Sequence, residues 1–228
     1  MNPIYKLFCN EEFQKHLQDK LPKMLNKAQC INRNSTGVVN QSVGRDREDC
    51  LKVVVKNYIG NENCQIDLPE KLPYDWMLFG RSNQIRTVTI PDISKPGIIK
   101  ANWVSGRANG ILFRKNFEVN HDLTLLRLIK QNEEMLGVEI CYIPKSTQRV
   151  SLRALGKKRF LKISSGNSKG VRFSSEAIQM MLAHPKTKKM QLDWNVSEDH
   201  SHRLDFWKRE YNDLFCRNWK WPNQNRTH

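Results

Sequence analysis

A chain of 228 residues, of which 39% are hydrophobic, is long enough to bury a core of its own and fits one domain. Its formal net charge of +15 at pH 7 excludes the near-neutral surface of an ordinary soluble protein and indicates a polyanionic partner. A surplus of charge kept for solubility is the alternative explanation.

The cysteines and the N-terminal segment predict the compartment. The six cysteines lie far apart, with no CxxC pair and no Cys/His spacing of the zinc-finger type, so we expect free thiols in a reducing compartment. The segment MNPIYKLFCNEEF lacks the pattern of a signal peptide, and no run approaches the ~20 apolar residues of a membrane span. We therefore expect a cytosolic or nuclear protein, assigned here to the cytoplasm, with no membrane segment.

The first part of the chain is predicted to be helical. One helix runs from Glu11 to Ala28, broken or restarted at Pro22, and leads into the polar loop NRNSTGVVNQSVG. A second helix covers RDREDCLKVVVKNYIG, with its apolar residues on one face and Gly60 as its C-terminal stop.

Strands are predicted next. The segments YDWMLFG, IRTVTIPDI and GIIKANWV are rich in β-branched and aromatic residues and are bounded by Gly, Pro, Ser and Asn. The turn SKPG separates the last two segments. We therefore expect these two strands to form an antiparallel hairpin.

Downstream, the sequence predicts a helix over NHDLTLLRLIKQNEEMLG that Gly137 stops, followed by the apolar strand VEICYI. Two short basic strands, RVSLRAL and RFLKIS, precede the helix SSEAIQMMLAH, and a last helix runs from about His202 to Trp219. No repeat or low-complexity linker divides the chain, so residues 1–228 form one predicted domain. The order predicts an α/β fold: a mixed central sheet flanked by helices, with a basic β-rich subregion at about 145–175.

Three residues in this order carry a resemblance to a known family. Asp75 opens an apolar strand in LPYDWMLFG, Lys100 lies in the apolar run GIIKANW, and Glu48 lies on the helix that contains GRDREDCLK. This arrangement resembles the PD-(D/E)XK nucleases, particularly the type II restriction endonucleases. The resemblance implies hydrolysis of phosphodiester bonds, which needs acidic ligands for Mg²⁺ and a cation or general base near the attacking water.

Carried over to this chain, the resemblance implies that Asp75 binds the metal, that Lys100 orients or activates the water, and that Glu48 supports the site from its helix. The chain departs from the motif two residues before Lys100, where Ile98 stands in place of Asp or Glu. The arrangement that we favour takes the missing acid from Asp92, which the predicted hairpin would bring across from the paired strand. Asp75 and Asp92 would then hold the metal together.

Two other assignments of the motif's acid and lysine to residues of this chain stay open. In the first, Glu118 supplies the acid from the helix after the lysine strand, because one subgroup of restriction enzymes has a migrated acid and a Trp, a Ser and an Arg after its lysine. The corresponding residues here are Trp103, Ser105 and Arg107. In the second, Asp75 and Asp92 are the two acids and Lys95 is the lysine.

Each of these residues also has a structural explanation. Asp75 could begin a strand and Asp92 could cap a turn, as aspartates near turns usually do. Lys100 would then need an edge strand or a snorkelling side chain. Glu48 lies among alternating charges, where a solvated helix face is the common outcome.

The basic segment after the predicted core favours contact with nucleic acid. From Lys145 to Arg172 there are nine Lys or Arg and no Asp or Glu. Such side chains are suitable donors to backbone phosphates. The predicted DNA contacts are Arg107, Arg149, Arg153, Lys157, Lys158, Arg159 and Lys169.

The sequence therefore predicts a sequence-specific, Mg²⁺-dependent endonuclease that acts on double-stranded DNA, as a homodimer or as a monomer. The alternative is a non-catalytic DNA- or RNA-binding protein that uses a basic β surface. A binding protein of either kind would lose affinity steeply with added salt.

Overall fold

The computed structural model describes residues 2–34, 39–69, 72–102, 106–132, 134–164 and 170–194. The helices are α1 (Pro3–Cys9), α2 (Glu11–Asn34), α3 (Val39–Ile59), α4 (Arg107–Asn116), α5 (Lys145–Phe160) and α6 (Ser175–Ala183). The strands are β1 (Cys64–Gln65), β2 (Trp76–Leu78), β3 (Arg81–Ile90), β4 (Lys100–Asn102), β5 (Asp122–Gln131), β6 (Glu134–Ile143), β7 (Leu161–Ile163), β8 (Val171–Phe173) and β9 (Lys188–Asp193).

Two sheets organise the described residues. The larger has six strands in the order β1-β2-β3-β5-β6-β9, and the smaller has the order β4-β8-β7. In the larger sheet β3 and β5 pair in parallel, whereas the other neighbouring strands are antiparallel. The predicted mixed central sheet is confirmed.

Helices cover both faces of the larger sheet, as predicted. On one face, side chains of α1, α2 and α3 pack with sheet residues such as Leu126 and Ile140. On the other face, α5, α6 and the smaller sheet pack with residues such as Leu125 and Cys141. Leu125 and Leu126 are neighbours in β5 and belong to different cores, because successive side chains of a strand point to opposite faces.

The predicted helix over residues 120–137 is wrong, since this segment forms most of the hairpin β5–β6. Eight consecutive residues, Asp122 to Ile129, are buried in β5. A strand that is covered on both faces carries no polar-apolar alternation, so its apolar run can be mistaken for a helix. The strand predicted at VEICYI is confirmed within β6.

The predicted strand RVSLRAL is also wrong, because this segment lies in helix α5. Gln148, Ser151 and Leu155 are buried there at spacings of three and four residues, which is the period of a helix and not of a strand. Arg149 and Arg153 are exposed between these buried residues. The prediction of RFLKIS as a strand and of SSEAIQMMLAH as a helix is confirmed by β7 and α6.

The predicted hairpin between IRTVTIPDI and GIIKANWV does not form. Both edges of β3 are occupied, by β2 and by β5, and β4 pairs with β8 in the smaller sheet. The chain after β3 instead folds back over that strand. Gly97 has a φ of 75°, and a Cβ at this position would lie 2.6 Å from a methyl group of Val88.

The N-terminal helices are longer than predicted. Pro22 lies inside α2 without ending it, and the buried residues Leu17, Leu21 and Leu25 hold the helix on the core around that position. The predicted polar loop is shortened, because α2 extends to Asn34 and α3 begins at Val39. The predicted tail helix at 202–219 lies outside the described residues.

The described cysteines and helices bear on the thiols and on membrane spans. The cysteines whose side chains are described, Cys9, Cys50, Cys64 and Cys141, are free. Among the described helices, none combines the length and the apolar character that a membrane span requires.

A buried ion pair fixes the chain segment 91–99 to the larger sheet. Arg127 on β5 and Glu139 on β6 are 1% and 3% exposed, and the Arg127 guanidinium donates to the Glu139 carboxylate. The second terminal nitrogen of Arg127 donates to the carbonyls of Ile93 and Lys95, at 2.9 and 2.6 Å. The segment that leads to β4 is therefore attached to the centre of the sheet.

Replacing Arg127 by Leu is expected to lower the free energy of unfolding by about 3–5 kcal/mol, because Glu139 would be left buried without its counter-charge. The double variant R127L/E139L is expected to recover most of this loss, since it buries no unpaired charge. Denaturant unfolding monitored by circular dichroism measures both values. Equal losses in the single and double variants would contradict this account.

Candidate active site

Asp75 lies immediately before β2 and against the neighbouring strand β3. Its backbone N–H donates to the carbonyl of Asn83 at 3.0 Å. Its carboxylate accepts from the N–H of Ile85 at 2.8 Å and from Nη1 of Arg86 at 3.0 Å. The side chain is 31% exposed, so a ligand can reach the carboxylate.

Arg86 is held in place by three acceptors. Nη1 contacts Asp75 and the carbonyl of Ile85, and Nε donates to the carbonyl of Lys100 at 3.1 Å. The other terminal nitrogen, Nη2, takes part in none of these bonds. The side chain is 23% exposed, so the guanidinium is fixed at its base while part of it faces solvent.

Helix α3 brings Glu48 to the same place. The preceding residue, Arg47, donates to the hydroxyl of Thr89 on β3 at 3.2 Å, which fixes this turn of the helix against the strand. Burial raises the pKa of Glu48 from 4.5 to about 7; the nearby charge of Arg86 lowers this pKa and that of Asp75 raises it. Two carboxylates and one guanidinium therefore form a single electrostatic group.

Asp92 lies elsewhere. It is exposed in the turn that follows β3, where it accepts from the backbone N–H and the hydroxyl of Ser94, and these bonds hold the pKa of Asp92 below its usual range. Asp75 is bonded at Ile85, and the strand from Ile85 to Ile90 alone spans roughly 16 Å. The structure does not bring Asp92 and Asp75 together at one metal ion.

Lys100 contacts this group through its backbone. The ammonium of Lys100 donates to the hydroxyl of Ser164 at 3.0 Å. In the smaller sheet, Lys100 on β4 lies opposite Arg172 on β8. Burial, and to a lesser extent the charge of Arg172, lower the pKa of Lys100. Its carbonyl, by contrast, accepts from Arg86. The side chain assigned to catalysis from the sequence therefore has its hydrogen bond with the smaller sheet.

Two residues that sequence reasoning missed have the spacing of the expected motif. Gln84 and Arg86 lie on β3 beside Asp75. They are separated by one residue, as the acid and the lysine are in the motif acid-x-Lys. Gln84 donates to the carbonyl of Pro73 at 2.7 Å. The sequence signal was present in NQIR, where polar residues flank Ile85 and Arg86 follows Asp75 by eleven residues. It was missed because the motif was sought on the strand of Lys100.

A cavity of about 680 Å³ opens at this group, and we call it the site cavity. Asp75, Gln84 and Arg86 line one wall, while helix α4 and the segment after it line the other. Glu118, the migrated acid of one open alternative, belongs to this opposite wall. The site cavity therefore lies between the carboxylate group, by which we mean Asp75 and Glu48 with Arg86, and helix α4, which carries no acidic residue.

The predicted DNA contacts are divided by the fold. Arg149 and Arg153 on α5 line a second cavity of about 960 Å³, the basic cavity, together with Arg81, Lys145 and Lys186. The other residues in this prediction lie apart. Lys157 donates to the carbonyl of Lys115, Arg159 pairs with Glu176, Lys158 and Arg107 are exposed, and Lys169 lies outside the described residues.

This fold is shared with a restriction endonuclease. A solved structure described as a restriction endonuclease in complex with substrate DNA matches 93% of this chain and 100% of its own chain, with a TM-score of 0.78 and 22% sequence identity. The family described as "Restriction endonuclease ThaI" matches residues 7–214, and the chain belongs to this family. No match was found among the curated proteins.

Membership in this family confirms the predicted activity. The protein is a sequence-specific DNA endonuclease, and the non-catalytic alternative is set aside. DNA is its partner, and restriction endonucleases generally use a divalent metal. The described residues contain no group of three His, Cys, Asp or Glu that could enclose an ion.

The carboxylate group fits a metal that needs few protein ligands. Mg²⁺ usually keeps several waters and is bound through one or two carboxylates together with substrate phosphates. Glu48 and Asp75 supply two carboxylates, and because burial raises the pKa of Glu48, a cation bound beside it would favour its ionised form.

The raised pKa of Glu48 predicts how its replacement changes stability with pH. The folded protein binds the proton more tightly than the unfolded chain, so ionisation destabilises the fold progressively from pH 4.5 to 7 and fully above pH 7. In EDTA, E48Q is therefore expected to exceed the wild type in stability by about 1–3 kcal/mol above pH 7. The difference should disappear below pH 4.5.

Denaturant unfolding at several pH values measures this difference. Asp49→Asn is the matched control, because Asp49 is the next residue on α3 but its side chain is 54% exposed. A difference between E48Q and the wild type that stays constant with pH would contradict the assignment.

Proposed function

We propose that this protein hydrolyses phosphodiester bonds of double-stranded DNA with Mg²⁺ held by Asp75 and Glu48, and with Arg86 as the catalytic cation. The observation that supports the proposal is the contact between Arg86 and Asp75, at 3.0 Å, beside the half-buried Glu48 and at the mouth of the site cavity. Acidic ligands and a fixed cation around one accessible space are what this hydrolysis requires.

The choice of Mg²⁺ follows from the donors. Carboxylate oxygens are hard ligands, and Mg²⁺ binds them while retaining water and phosphate oxygens in its other positions. When bound, such an ion neutralises phosphate charge and lowers the pKa of a coordinated water. Hydrogen bonds from the N–H of Ile85 and the guanidinium of Arg86 orient the Asp75 carboxylate for this role.

Arg86 would stabilise the charge that develops on the phosphoryl oxygens. Its Nε and Nη1 atoms are bonded to the protein, which fixes the plane of the guanidinium before substrate arrives. An arginine remains protonated in proteins, so Arg86 cannot accept the proton of the attacking water. Gln84 cannot accept it either, because a neutral amide has no basic site near pH 7.

The position of Lys100 defines a supporting role. Its carbonyl orients Arg86, and this contact needs no particular side chain at position 100. The sequence-based hypothesis instead gives the water-activating role to the Lys100 amine and a metal-binding role to Asp92. The two hypotheses differ in which variants they expect to cleave DNA.

Arg86→Ala is expected to reduce the cleavage rate of plasmid DNA in Mg²⁺ about 10²–10³-fold, as loss of one preorganised charge-stabilising group does elsewhere. Arg86→Lys should fall between Ala and the wild type, because it keeps the charge but loses the planar fork. Lys100→Ala and Asp92→Ala are expected to cleave at close to the wild-type rate. Single-turnover rates at saturating protein measure all four.

The opposite ranking would reject the proposed set. If Lys100→Ala or Asp92→Ala were inactive while Arg86→Ala cleaved normally, the sequence-based set would be the active one. If Glu48→Gln and Asp75→Asn both cleaved like the wild type, neither set would be.

We propose further that the basic cavity binds the DNA backbone beside the cleavage site. Arg149 and Arg153 are exposed, and they extend from α5 next to Lys145. Gln148, their neighbour on α5, lines the site cavity, so the two cavities adjoin along this helix. Lysines and arginines at such a surface bind phosphates by neutralising their charge and releasing counterions.

Two copies of the chain would offer one site to each DNA strand, so a homodimer is the assembly that we propose for double-strand cleavage. The mass of the DNA complex in sedimentation equilibrium distinguishes one copy from two.

Arg153→Ala is expected to weaken binding to all duplexes similarly and to reduce the dependence of log Kd on log salt concentration by about one charge. Titrations at several salt concentrations, in Ca²⁺ to prevent cleavage, measure the slope. Lys23→Ala is the control, because Lys23 is an exposed lysine on α2 that pairs with Asp19. An identical slope for both variants would contradict a role for the basic cavity.

A further inference from the structure

Helix α4 forms the wall of the site cavity opposite the carboxylate group. Its back is packed on the smaller sheet at Gly110, where an added Cβ would lie 3.1 Å from a methyl group of Ile163. The buried glycine lets the helix approach this sheet closely. The adjoining face of α4 lines the site cavity.

Four residues of α4 form a stripe along that face. Asn109, Leu112, Phe113 and Asn116 follow the spacing i, i+3, i+4 and i+7, and all four line the site cavity. Phe113 packs against the core that α5, α6 and the smaller sheet form with the larger sheet, and this contact anchors the stripe. Leu112 is 56% exposed, and both asparagines are exposed.

We propose that this stripe, which we call the α4 stripe, reads the edges of the base pairs next to the bond that is cut. The inference rests on the proposed function, because it takes DNA to occupy the site cavity. An asparagine amide offers one donor and one acceptor side by side, and this pattern matches adenine N7 and N6 in the major groove. A leucine contacts the methyl group of thymine.

The charges around the stripe favour DNA over an acidic peptide or a free phosphate. α4 has no acidic residue and carries Arg114 and Lys115 in its last turn, which favours a polyanion. The lining of the site cavity, however, is rich in neutral amides, including Gln84 and Asn120. Neutral amides recognise base edges by hydrogen bonding, whereas phosphates select cationic donors.

Glu118 supports the same conclusion. Its carboxylate lies in the lining of the site cavity just after α4. A carboxylate there repels a backbone phosphate, but it can accept a hydrogen bond from the amino group of cytosine. The wall formed by α4 and Glu118 is thus suited to bases, and the wall formed by Asp75 and Arg86 is suited to the scissile phosphate.

The test uses the full-length protein and a pool of linear duplexes with a randomised central segment between fixed arms. Wild type, Asn116→Ala, Leu112→Ala and the control Ile111→Ala are compared. Ile111 is 47% exposed on the same helix but does not line the site cavity. Cleaved ends in Mg²⁺ and bound duplexes recovered in Ca²⁺ are both sequenced.

In Asn116→Ala, the preference for one base pair is expected to fall about tenfold or more, in the cleaved and in the bound fraction. Leu112→Ala should relax the preference at a neighbouring pair, and Ile111→Ala should keep the wild-type profile. The substituted side chains are exposed, so folding should be preserved, and thermal unfolding verifies this.

An unchanged profile in both variants, or an equal loss of cleavage for all sequences, would overturn base reading by the α4 stripe. If the wild type bound a consensus sequence but cut nothing in Mg²⁺, the proposed chemistry would fail while the bound fraction still decided the role of α4. The proposed cleavage chemistry is therefore tested by the cleaved ends, and base reading by the α4 stripe is tested by the bound duplexes.

Discussion

The parallel pairing of β3 with β5 is the constraint on which the rest of the site depends. Parallel neighbours cannot be joined by a tight turn, so the chain must cross the sheet between them. That crossover contains β4 and α4, and it brings the carbonyl of Lys100 to Arg86. Since β2 occupies the other edge of β3, Asp75 meets the same strand from the opposite side. One strand thus carries Arg86 and receives both Asp75 and the carbonyl of Lys100.

The charges at this strand explain why an arginine suits the position. A lysine ammonium is a point charge on a flexible stem, whereas a guanidinium bonds several acceptors in a fixed plane. Arg86 uses this geometry to connect Asp75, Ile85 and Lys100. The arrangement concentrates opposite charges at a partly exposed position, next to Glu48, whose pKa is raised mainly by burial.

Local sequence patterns identified part of the site and failed where distant pairing decides. Asp75 and Glu48 were predicted from local signals, since one opens a strand after a turn and the other lies on an amphipathic helix, and the structure places both beside Arg86. Arg86 was missed because only the pairing of β2 with β3 reveals that it faces Asp75. The apolar run of β5 was taken for a helix, since burial on both faces removed the alternation that marks a strand.

The buried guanidinium of Arg127 also restricts the segment 91–99 before DNA associates. It binds the carbonyls of Ile93 and Lys95, so the path into β4 is already held in place in the folded protein. The conformational entropy of this segment is then lost during folding and not again when DNA associates. Substrate would meet a preorganised surface, and slow exchange of the β4 amide hydrogens in the free protein would be the visible sign of that rigidity.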